Sequence, residues 1–258
     1  MSSIVQDVKA SVQQQFGNVA LNYATSTVHA SGEDMNRMVQ LAELSGTEKV
    51  LDAGCGAGHT ALAFAPHVAE VIAYDLTVSM LEQVNRLAAE RGVANLTTQH
   101  GDVEMLPFED STFDLVVSRY SAHHWPHPAR ALAEFRRVLK PGGQFILSDI
   151  VAAEDPTLDT FLQTIELLRD PSHVRDHSIS QWNRMLREAG FTSEVLYTWQ
   201  LPLDFEAWVM RMATPAPSIA MLKTLFDGAP SEVRNAMDVQ PNYRFQIPGA
   251  LFRGRRND

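Results

Sequence analysis

The stretch VLDAGCGAGHTA, residues 50–61, decides the fold of this chain. Its apolar start predicts a short strand, and glycines follow at positions 54, 56 and 58 before a helical segment. Glycine lacks a Cβ, so such a loop lets backbone N–H groups and the start of the next helix approach a ligand closely. Counted from Gly56, the string also fits G-x-G-x-x-A, so a dinucleotide-binding enzyme is one interpretation at this point.

Strand and helix patterns alternate outward from this loop. Buried strands are predicted, in chain order, at KVLDAG, EVIAYD, NLTTQHGD, FDLVVS and QFILSDIVA. One intervening helix is predicted to open with a capping box at Ser79 and Glu82 and to stop at Gly92. The alternation predicts parallel strands joined by right-handed crossovers, a doubly wound α/β sheet that binds ligands at the carboxyl ends of its strands.

The C-terminal part of the chain has a different pattern. Asp155 with Pro156, and Ser178 with Gln181, predict the starts of two further helices. SEVLYTWQLPL (193–203) and NYRFQIPGALFRG (242–254) have strand composition, and methionine-containing helical sequence lies between them. We therefore expect a mostly parallel sheet with an antiparallel C-terminal strand, helices on both faces and a helical lid.

Composition limits the classes of partner. The chain has 258 residues and a formal net charge of −10, and its one basic cluster, FRGRR at 252–256, predicts a solvated tail rather than a nucleic-acid site. The single cysteine, Cys55, excludes an intramolecular disulfide. No apolar run reaches the roughly 20 residues that span a bilayer, and the N-terminus lacks a signal-peptide pattern. We expect a cytoplasmic protein, monomeric or homodimeric, with a small-molecule substrate and neither nucleic-acid nor membrane partners.

Three acidic residues around the glycine loop favour a particular ligand. Asp52 stands two residues before the first glycine, where a carboxylate disfavours a pyrophosphate and suits an ammonium group. Asp75 ends the second predicted strand, a position from which it can accept both ribose hydroxyls. Asp102 ends the third and can accept from an adenine amino group. Adenine, ribose and a cationic amino-acid tail together describe S-adenosylmethionine.

Four motifs in order resemble the class I S-adenosylmethionine-dependent methyltransferases, and within them the methyltransferase type 11 group, which includes the ubiquinone/menaquinone C-methyltransferases. The motifs are VLDAGCGAG, YDLT, GDVEMLPFEDSTFDLVVS and EFRRVLKPGG, and the resemblance covers about residues 17–190. It implies a Rossmann-like sheet in residues 46–258, with lid insertions at about 153–178 and 205–240, and a helical cover of cofactor and substrate in residues 1–45. It also implies a set of cofactor-binding residues: Tyr23, Asp52, Gly54, Gly56, Asp75, Leu76, Met80, Gly101, Asp102, Val103 and Arg119.

The segment SRYSAHHWPHP, residues 118–128, follows the fourth predicted strand. In the family that this chain resembles, the mouth of this strand faces the transferable methyl group, so Tyr120 and Trp125 are candidate substrate contacts. His123 and His124 are candidate catalytic residues, because histidine can take a proton from an O–H, N–H or acidic C–H. The alternative is that one of the two histidines packs structurally and caps the helix that follows Pro128.

A second histidine string, RDPSHVRDHS (169–178), lies where substrate-capping elements attach in related methyltransferases. His173 is a third catalytic candidate, and Arg169 and Arg175 are candidate contacts for an acidic or carbonyl-bearing substrate. The alternative is a loop whose arginines and aspartates pair with each other. His123, His124, His173 and Asp149 lack metal-ligand spacing, and we predict no metal.

These observations predict an enzyme that transfers the methyl group of S-adenosylmethionine to a small apolar or aromatic metabolite, at carbon, oxygen or nitrogen, leaving S-adenosylhomocysteine. Two alternatives stay open. One is a protein that binds S-adenosylmethionine for non-methylating chemistry or for binding alone, because cofactor motifs report binding. The other is a nucleotide-dependent oxidoreductase, which Asp52 disfavours.

Overall fold

The computed structural model describes residues 7–24 and 32–257, with the side chains of 22–24 left out. Seven strands are observed in this part of the chain: β1 Lys49–Ala53, β2 Glu70–Asp75, β3 Leu96–His100, β4 Phe113–Arg119, β5 Leu139–Ile150, β6 Phe191–Leu203 and β7 Phe245–Arg256. The helices of the N-terminal half are α1 Val8–Ala24, α2 Glu33–Leu41, α3 His59–Phe64, α4 Val78–Glu90 and α5 Pro128–Val138. Those of the C-terminal half are α6 Pro156–Arg169, α7 Ile179–Glu188, α8 Phe205–Arg211, α9 Ala216–Asp227 and α10 Ser231–Ala236.

All seven strands form one sheet in the order β3-β2-β1-β4-β5-β7-β6. Strands β1 to β5 pair in parallel, and β7 inserts antiparallel between β5 and β6. The order reverses between β1 and β4, which places the carboxyl ends of these strands beside an open crevice. The expected fold class is confirmed, including the antiparallel C-terminal strand.

The core is continuous on both faces of the sheet because its central strands carry apolar side chains in both directions. One cluster packs α3 and α4 against β1 and β2, with Phe64 and Val84 among its fully buried members. A second cluster packs α5 and α7 on the opposite face around Phe135 and Trp182. These two layers hold the strand ends, and therefore the loops that follow them, in fixed positions.

Helix starts were predicted with mixed success. Asp155 accepts from the N–H groups of Thr157 and Leu158, and Ser178 forms the expected reciprocal capping box with Gln181. The capping box predicted at Ser79 and Glu82 is wrong, because α4 already begins at Val78 after Thr77. The carboxylate of Asp75, 2.8 Å from the backbone nitrogen of Thr77, shapes this turn instead.

The C-terminal helices form a separate apolar layer beyond the ends of β5, β6 and β7. Phe205, Trp208 and Phe226 are buried there with Ile165 of α6. Helix α1 crosses to this layer, where the Gln15 side chain donates to the carbonyl of Met212 at 2.8 Å. The assignment of residues 1–45 as a cover and of two lid insertions stays a prediction. Among the residues described, no helix is long and apolar enough to cross a membrane.

Candidate active site

A cavity lies over the glycine loop at the carboxyl ends of β1, β2 and β4, and is called here the glycine-loop cavity. It encloses about 930 Å³, part of it open to solvent. Most of the predicted cofactor-binding residues line it: Gly54, Gly56, Asp75, Leu76, Met80, Gly101, Asp102, Val103 and Arg119. Asp52 lies beneath the loop and does not line the cavity, and the side chain of Tyr23 lies outside the described residues.

The glycines of this site serve two different purposes. Gly56 has a φ of +52° and a Cβ built there would meet nothing within 4 Å, so its missing side chain leaves space at the cavity. At Gly54 an added Cβ would collide with Ser121, and at Gly101 with Tyr74. These two positions need glycine for internal packing, whatever ligand binds.

Asp75 shapes the loop through backbone contacts. Its Oδ2 accepts from Gly56 N at 2.8 Å and its Oδ1 from Thr77 N at 2.8 Å. Burial raises the pKa of this carboxyl, and the two N–H groups oppose that rise. Asp75 therefore joins the glycine turn to the start of α4 while lining the cavity, the position from which it can accept ribose hydroxyls.

Asp52 is buried without a compensating partner. Only 1% of it is exposed, and neither carboxylate oxygen has a hydrogen bond of normal length within the described chain. Burial raises the pKa of Asp52 to about 7, with the nearby Ala61 N–H lowering it and Asp75 raising it further. A buried carboxylate of this kind is stabilised when a cation lies beside it.

Helix α1 closes one side of the glycine-loop cavity. Lys9 donates to Asp102 at 2.5 Å and to Glu104 at 2.7 Å, and Val12 and Phe16 line the cavity farther along the helix. Burial would lower the pKa of Lys9, but the two carboxylates raise it. Asp102 thus meets an ammonium from α1 at the place where an adenine amino group was expected.

Arg119 is held by a residue that the sequence did not point to. Its guanidinium makes a two-pronged ion pair with Asp34 of α2, with Nε at 2.6 Å and Nη2 at 3.0 Å. Ser148 donates to the same carboxylate at 3.1 Å. The guanidinium lies 4.6 Å from the centre of the Tyr120 ring, so the pair fixes the wall of the cavity.

A second cavity, called here the lid cavity, lies between α6, α8 and the ends of β5, β6 and β7. It encloses about 490 Å³, part of it open to solvent. Its lining includes Tyr120, His123, Glu166, Arg169, Asp176 and Arg211. Tyr120 lines both cavities and has a φ of +51°, a left-handed conformation that costs free energy in a bulky residue. Its side chain belongs to the lining that the two cavities share.

His123 is paired with a buried aspartate behind it. Its Nδ1 lies 2.7 Å from Oδ1 of Asp149, which is 1% exposed. Burial lowers the pKa of His123, but Asp149, together with the nearby Asp176 and Glu166, raises it, and the net pKa is about 9. At neutral pH His123 is therefore an imidazolium that donates hydrogen bonds and cannot accept a proton.

His124 differs from its neighbour in both location and charge. It lines the glycine-loop cavity, and its Nδ1 donates to the carbonyl of Ser172 at 3.1 Å. The ring of Phe16 meets it edge-on at 4.9 Å. Burial, and then the positive charge of His123, lower the pKa of His124 to about 4. His124 is neutral at physiological pH.

Of the other predicted substrate and catalytic residues, some line one of the two cavities and others lie outside both. Trp125 lines the glycine-loop cavity but packs against the core residues Phe135 and Trp182. His173 lines neither cavity, its Nε2–H donates to Oε1 of Gln163 at 3.0 Å, and its pKa is lowered to about 2, chiefly by burial. Arg175 also lies outside both cavities and pairs with Asp159 at 2.6 Å, whereas Arg169 lines the lid cavity. In the described ranges no group of His, Cys, Asp and Glu could hold a metal ion.

Comparison with known proteins decides the family. A model of the methyltransferase domain matches residues 51–147. The chain is 41% identical over 231 residues to YcgJ of Bacillus subtilis, described as an uncharacterized methyltransferase, and covers 91% of that protein. This chain is a class I S-adenosylmethionine-dependent methyltransferase of the type 11 group. It is also 42% identical over 187 residues to the uncharacterized YafE of Escherichia coli, of which it covers 90%.

Solved structures agree with this membership. The crystal structure of YcgJ superposes with a TM-score of 0.85 at 38% identity, covering 87% of this chain and 98% of YcgJ. A protein from Bacillus halodurans C-125 superposes with a TM-score of 0.84 at 36% identity, over 88% of this chain and all of that one. The family, the enzyme class and the fold expected from the sequence are thereby confirmed.

The sequence did not single out several residues at the site of this methyltransferase. Lys9, Phe16 and Asp34 lie on N-terminal helices whose docking no local pattern reveals. Asp149 was considered only as a metal ligand, although its place at the end of β5, beside β4, was the signal for a partner of His123. Arg211 lies in a helix whose contacts with α6 only the fold creates.

Proposed function

We propose that this methyltransferase binds S-adenosylmethionine in the glycine-loop cavity and methylates a small apolar or aromatic acceptor held in the lid cavity. The observation that carries the proposal is the position of Tyr120, whose side chain lines both cavities. A reaction between two bound molecules needs them close together with water excluded, and a side chain that lines both cavities places the two cavities next to each other.

The residues of the glycine-loop cavity fit the cofactor. Gly56 leaves open space, Asp75 offers carboxylate oxygens to the ribose, and Leu76 and Met80 supply apolar surface for the adenine. The orphaned carboxylate of Asp52 beneath the loop suits the cationic amino-acid end. When bound, the cofactor supplies an electrophilic methyl group on a sulfonium.

The chain's own contribution is to position the reactants and to exclude water. Helix α1 covers the glycine-loop cavity, and Phe16 meets His124 at its edge. Tyr120 lies where the two cavities adjoin, with Arg119 against its ring and Asp34 holding Arg119. The pKa directions of the histidines favour positioning: His123 is already protonated, and His124 holds protons weakly.

Label transfer tests the proposal. The purified protein is incubated with methyl-labelled S-adenosylmethionine and a small-molecule extract of its source cell, and products are followed by mass spectrometry. We expect a labelled product of low molecular mass and an equal amount of S-adenosylhomocysteine. Cofactor binding without transfer in any fraction of the extract would favour the non-methylating alternative.

Two variants separate binding from chemistry. Asp75→Asn should weaken cofactor binding at least tenfold or so, because it removes a charge-assisted acceptor. Asp110→Asn is a matched control, since Asp110 is an exposed surface acid paired with Arg137. Cofactor affinity that is equal in the two variants would contradict the assignment of the glycine-loop cavity.

A further inference from the structure

We infer that Asp149 is a positioning residue that holds the ring of His123 so that its Nε2–H donates a hydrogen bond to a carbonyl oxygen of the methyl acceptor in the lid cavity. The inference rests on the proposed function and deepens it by naming the substrate class, a neutral carbonyl compound with an apolar body. Three observations carry it: the contacts of Asp149, the free edge of the His123 ring, and the apolar walls of the cavity.

Asp149 is a buried carboxylate that uses both of its oxygens, and it is 1% exposed. Oδ2 accepts from the backbone nitrogen of Ala122 at 2.8 Å. Oδ1 accepts from the backbone nitrogen of Ile150 at 2.8 Å and lies 2.7 Å from Nδ1 of His123. A carboxylate only accepts hydrogen bonds, so Nδ1 is the nitrogen that carries a proton in either charge state of the ring. One side chain thus fixes the turn Ala122–His124 and the direction of the His123 ring.

The second ring nitrogen, Nε2, is left for a ligand. It makes no hydrogen bond to any residue that the structure describes, and the side chain lines the lid cavity with 17% of its surface accessible. The loop before α7 holds the same residue from the other side, because the carbonyl of His123 accepts from the backbone nitrogens of Val174 at 2.9 Å and Arg175 at 3.1 Å. A donor that is immobilised before binding loses little entropy when it contacts a ligand.

The pairing with Asp149 also favours a proton on Nε2. A carboxylate at 2.7 Å stabilises the charged ring. Burial opposes that charge, yet the nearby carboxylates raise the pKa of His123 to about 9, in agreement with the geometry. Because the charge of Asp149 balances that of the ring, the pair offers a polarised N–H without a net charge. Such a donor suits a neutral oxygen.

The contact is made by an atom of the acceptor other than the one that is methylated. A hydrogen bond to the nucleophilic atom would occupy the lone pair that attacks the methyl group. A carbonyl oxygen accepts the hydrogen bond and orients the molecule, while a carbon, oxygen or nitrogen elsewhere in it attacks. We therefore expect a carbonyl group beside the methylated position.

The remaining walls of the lid cavity fit an apolar body. They are formed by Ile150, Leu201, Leu203, Trp208 and Ile247. A hydrocarbon or aromatic body gains free energy by burial against these side chains. Two of the charged groups in the lining already have partners, because Nη1 of Arg169 lies 3.2 Å from Oε2 of Glu166 and the same guanidinium donates to the carbonyl of Trp208 at 3.1 Å.

Ketones and their hydrocarbon isosteres test the inference on the full chain loaded with S-adenosylhomocysteine. The probes are acetophenone with α-methylstyrene, and cyclohexanone with methylenecyclohexane, pairs in which a methylene group replaces only the carbonyl oxygen. Dissociation constants come from ligand-observed NMR. His123→Asn keeps an N–H in the place of Nδ1 and removes Nε2, whereas His123→Gln keeps a donor in the place of Nε2. His177→Asn is the control, because Nδ1 of His177 also has a polar partner, Gln181 at 3.3 Å, but His177 lines neither cavity.

We expect His123→Asn to weaken at least one ketone by roughly fivefold or more and to leave its hydrocarbon isostere unchanged. His123→Gln should restore part of the lost affinity, and His177→Asn should leave both probes of each pair unaltered. The inference is overturned if neither ketone binds, if His123→Asn leaves the ketones unaffected, or if it weakens ketone and hydrocarbon equally.

The role of Asp149 is tested through the pH dependence of ketone binding. The charged and titratable groups around His123 or in the lining of the same cavity are Asp149 of β5, Tyr120 and His124 beside the turn, Glu166 and Arg169 of α6, His173 and Asp176 of the loop before α7, and Arg211 of α8. Burial raises the pKa of Asp176 well above its usual range, so ¹⁵N NMR of the ring nitrogens follows the titration of His123 itself.

In the unaltered protein, ketone affinity should fall as the pH rises through about 9, where Nε2 loses its proton. Asp149→Asn should move this fall and the ring titration to lower pH by at least one unit or so, or abolish ketone binding at neutral pH altogether. A profile that coincides with that of the unaltered protein removes Asp149 from the role. These binding measurements need no turnover, so label transfer by a protein that ignores the ketones contradicts this inference alone, whereas absence of label transfer contradicts the proposed function.

Discussion

The rings of His123 and His124 lie 4.3 Å apart, centre to centre, yet they line different cavities. Consecutive residues in the short 3₁₀ turn Ala122–His124 point in different directions, so one turn at the end of β4 serves both sites. Their pKa values also shift in opposite directions: Asp149 helps to raise the pKa of His123, whereas burial, and then the charge of His123, lower the pKa of His124.

The alkaline stability of the protein should depend on His123. Its pKa is raised from an ordinary 6.5 to about 9, so its stabilising contribution is complete below about pH 6.5 and is lost as the pH rises through 9. His123→Gln should lower the free energy of unfolding at pH 7 by up to about 3 kcal/mol and flatten its fall between pH 7 and 9. Urea unfolding between pH 7 and 9 measures this free energy of unfolding. The control is His67→Gln, because His67 is exposed.

Asp52→Asn should stabilise the cofactor-free protein and weaken its binding of the cofactor. The folded-state pKa of Asp52 is raised from 3.8 to about 7, so the buried carboxyl costs stability progressively as the pH rises through that interval. At pH 8 we expect the amide to raise the free energy of unfolding by on the order of 2 kcal/mol. Calorimetry should show weaker S-adenosylmethionine binding. A destabilised variant with unchanged cofactor affinity would contradict this role for Asp52.

A comparison of Gly56→Ala with Gly46→Ala should distinguish the cost of backbone strain from the loss of ligand contact. Gly56 and Gly46 both have positive φ, and at both an added Cβ meets nothing within 4 Å. Alanine at either position should therefore cost a similar free energy of unfolding, about 1 kcal/mol. Only Gly56→Ala should weaken S-adenosylmethionine binding, by roughly tenfold, since Gly46 lies outside the cavity. Equal cofactor affinities in the two variants would count against close approach of the ligand at Gly56.

Lys9 should slow release of the cofactor. Its ammonium bridges α1 to Asp102 and Glu104 at the cavity rim, and the pair with Asp102 is partly exposed, with side chains 31% and 25% accessible. Lys9→Met should speed S-adenosylmethionine dissociation by about fivefold at low salt, and 1 M salt should shrink the difference. Stopped-flow displacement measures the rate. Lys223→Met, which breaks an exposed pair with Glu206, should leave it unaltered.

The sequence by itself determined the sheet and the glycine loop, because both arise from short-range patterns. Apolar runs, glycine spacing and turn signals act over a few residues, and they predicted every strand and the glycine loop; the resemblance to the family, carried by four local motifs, implied further residues that line the glycine-loop cavity, such as Met80 and Arg119. The same local patterns misjudged the start of α4, where Asp75 binds the N–H of Thr77 and Ser79 forms no cap.

Only the tertiary structure decided what the histidines and arginines do. The pairing of β4 with β5 brings Asp149 to His123, the docking of α2 brings Asp34 to Arg119, and the packing of α8 on α6 brings Arg211 into the lid cavity. The two residues of the first contact are 26 positions apart in the sequence, and those of the second are 85 apart. Burial and neighbouring charges set the protonation state and partner of each group, and these depend on long-range packing that local sequence does not contain.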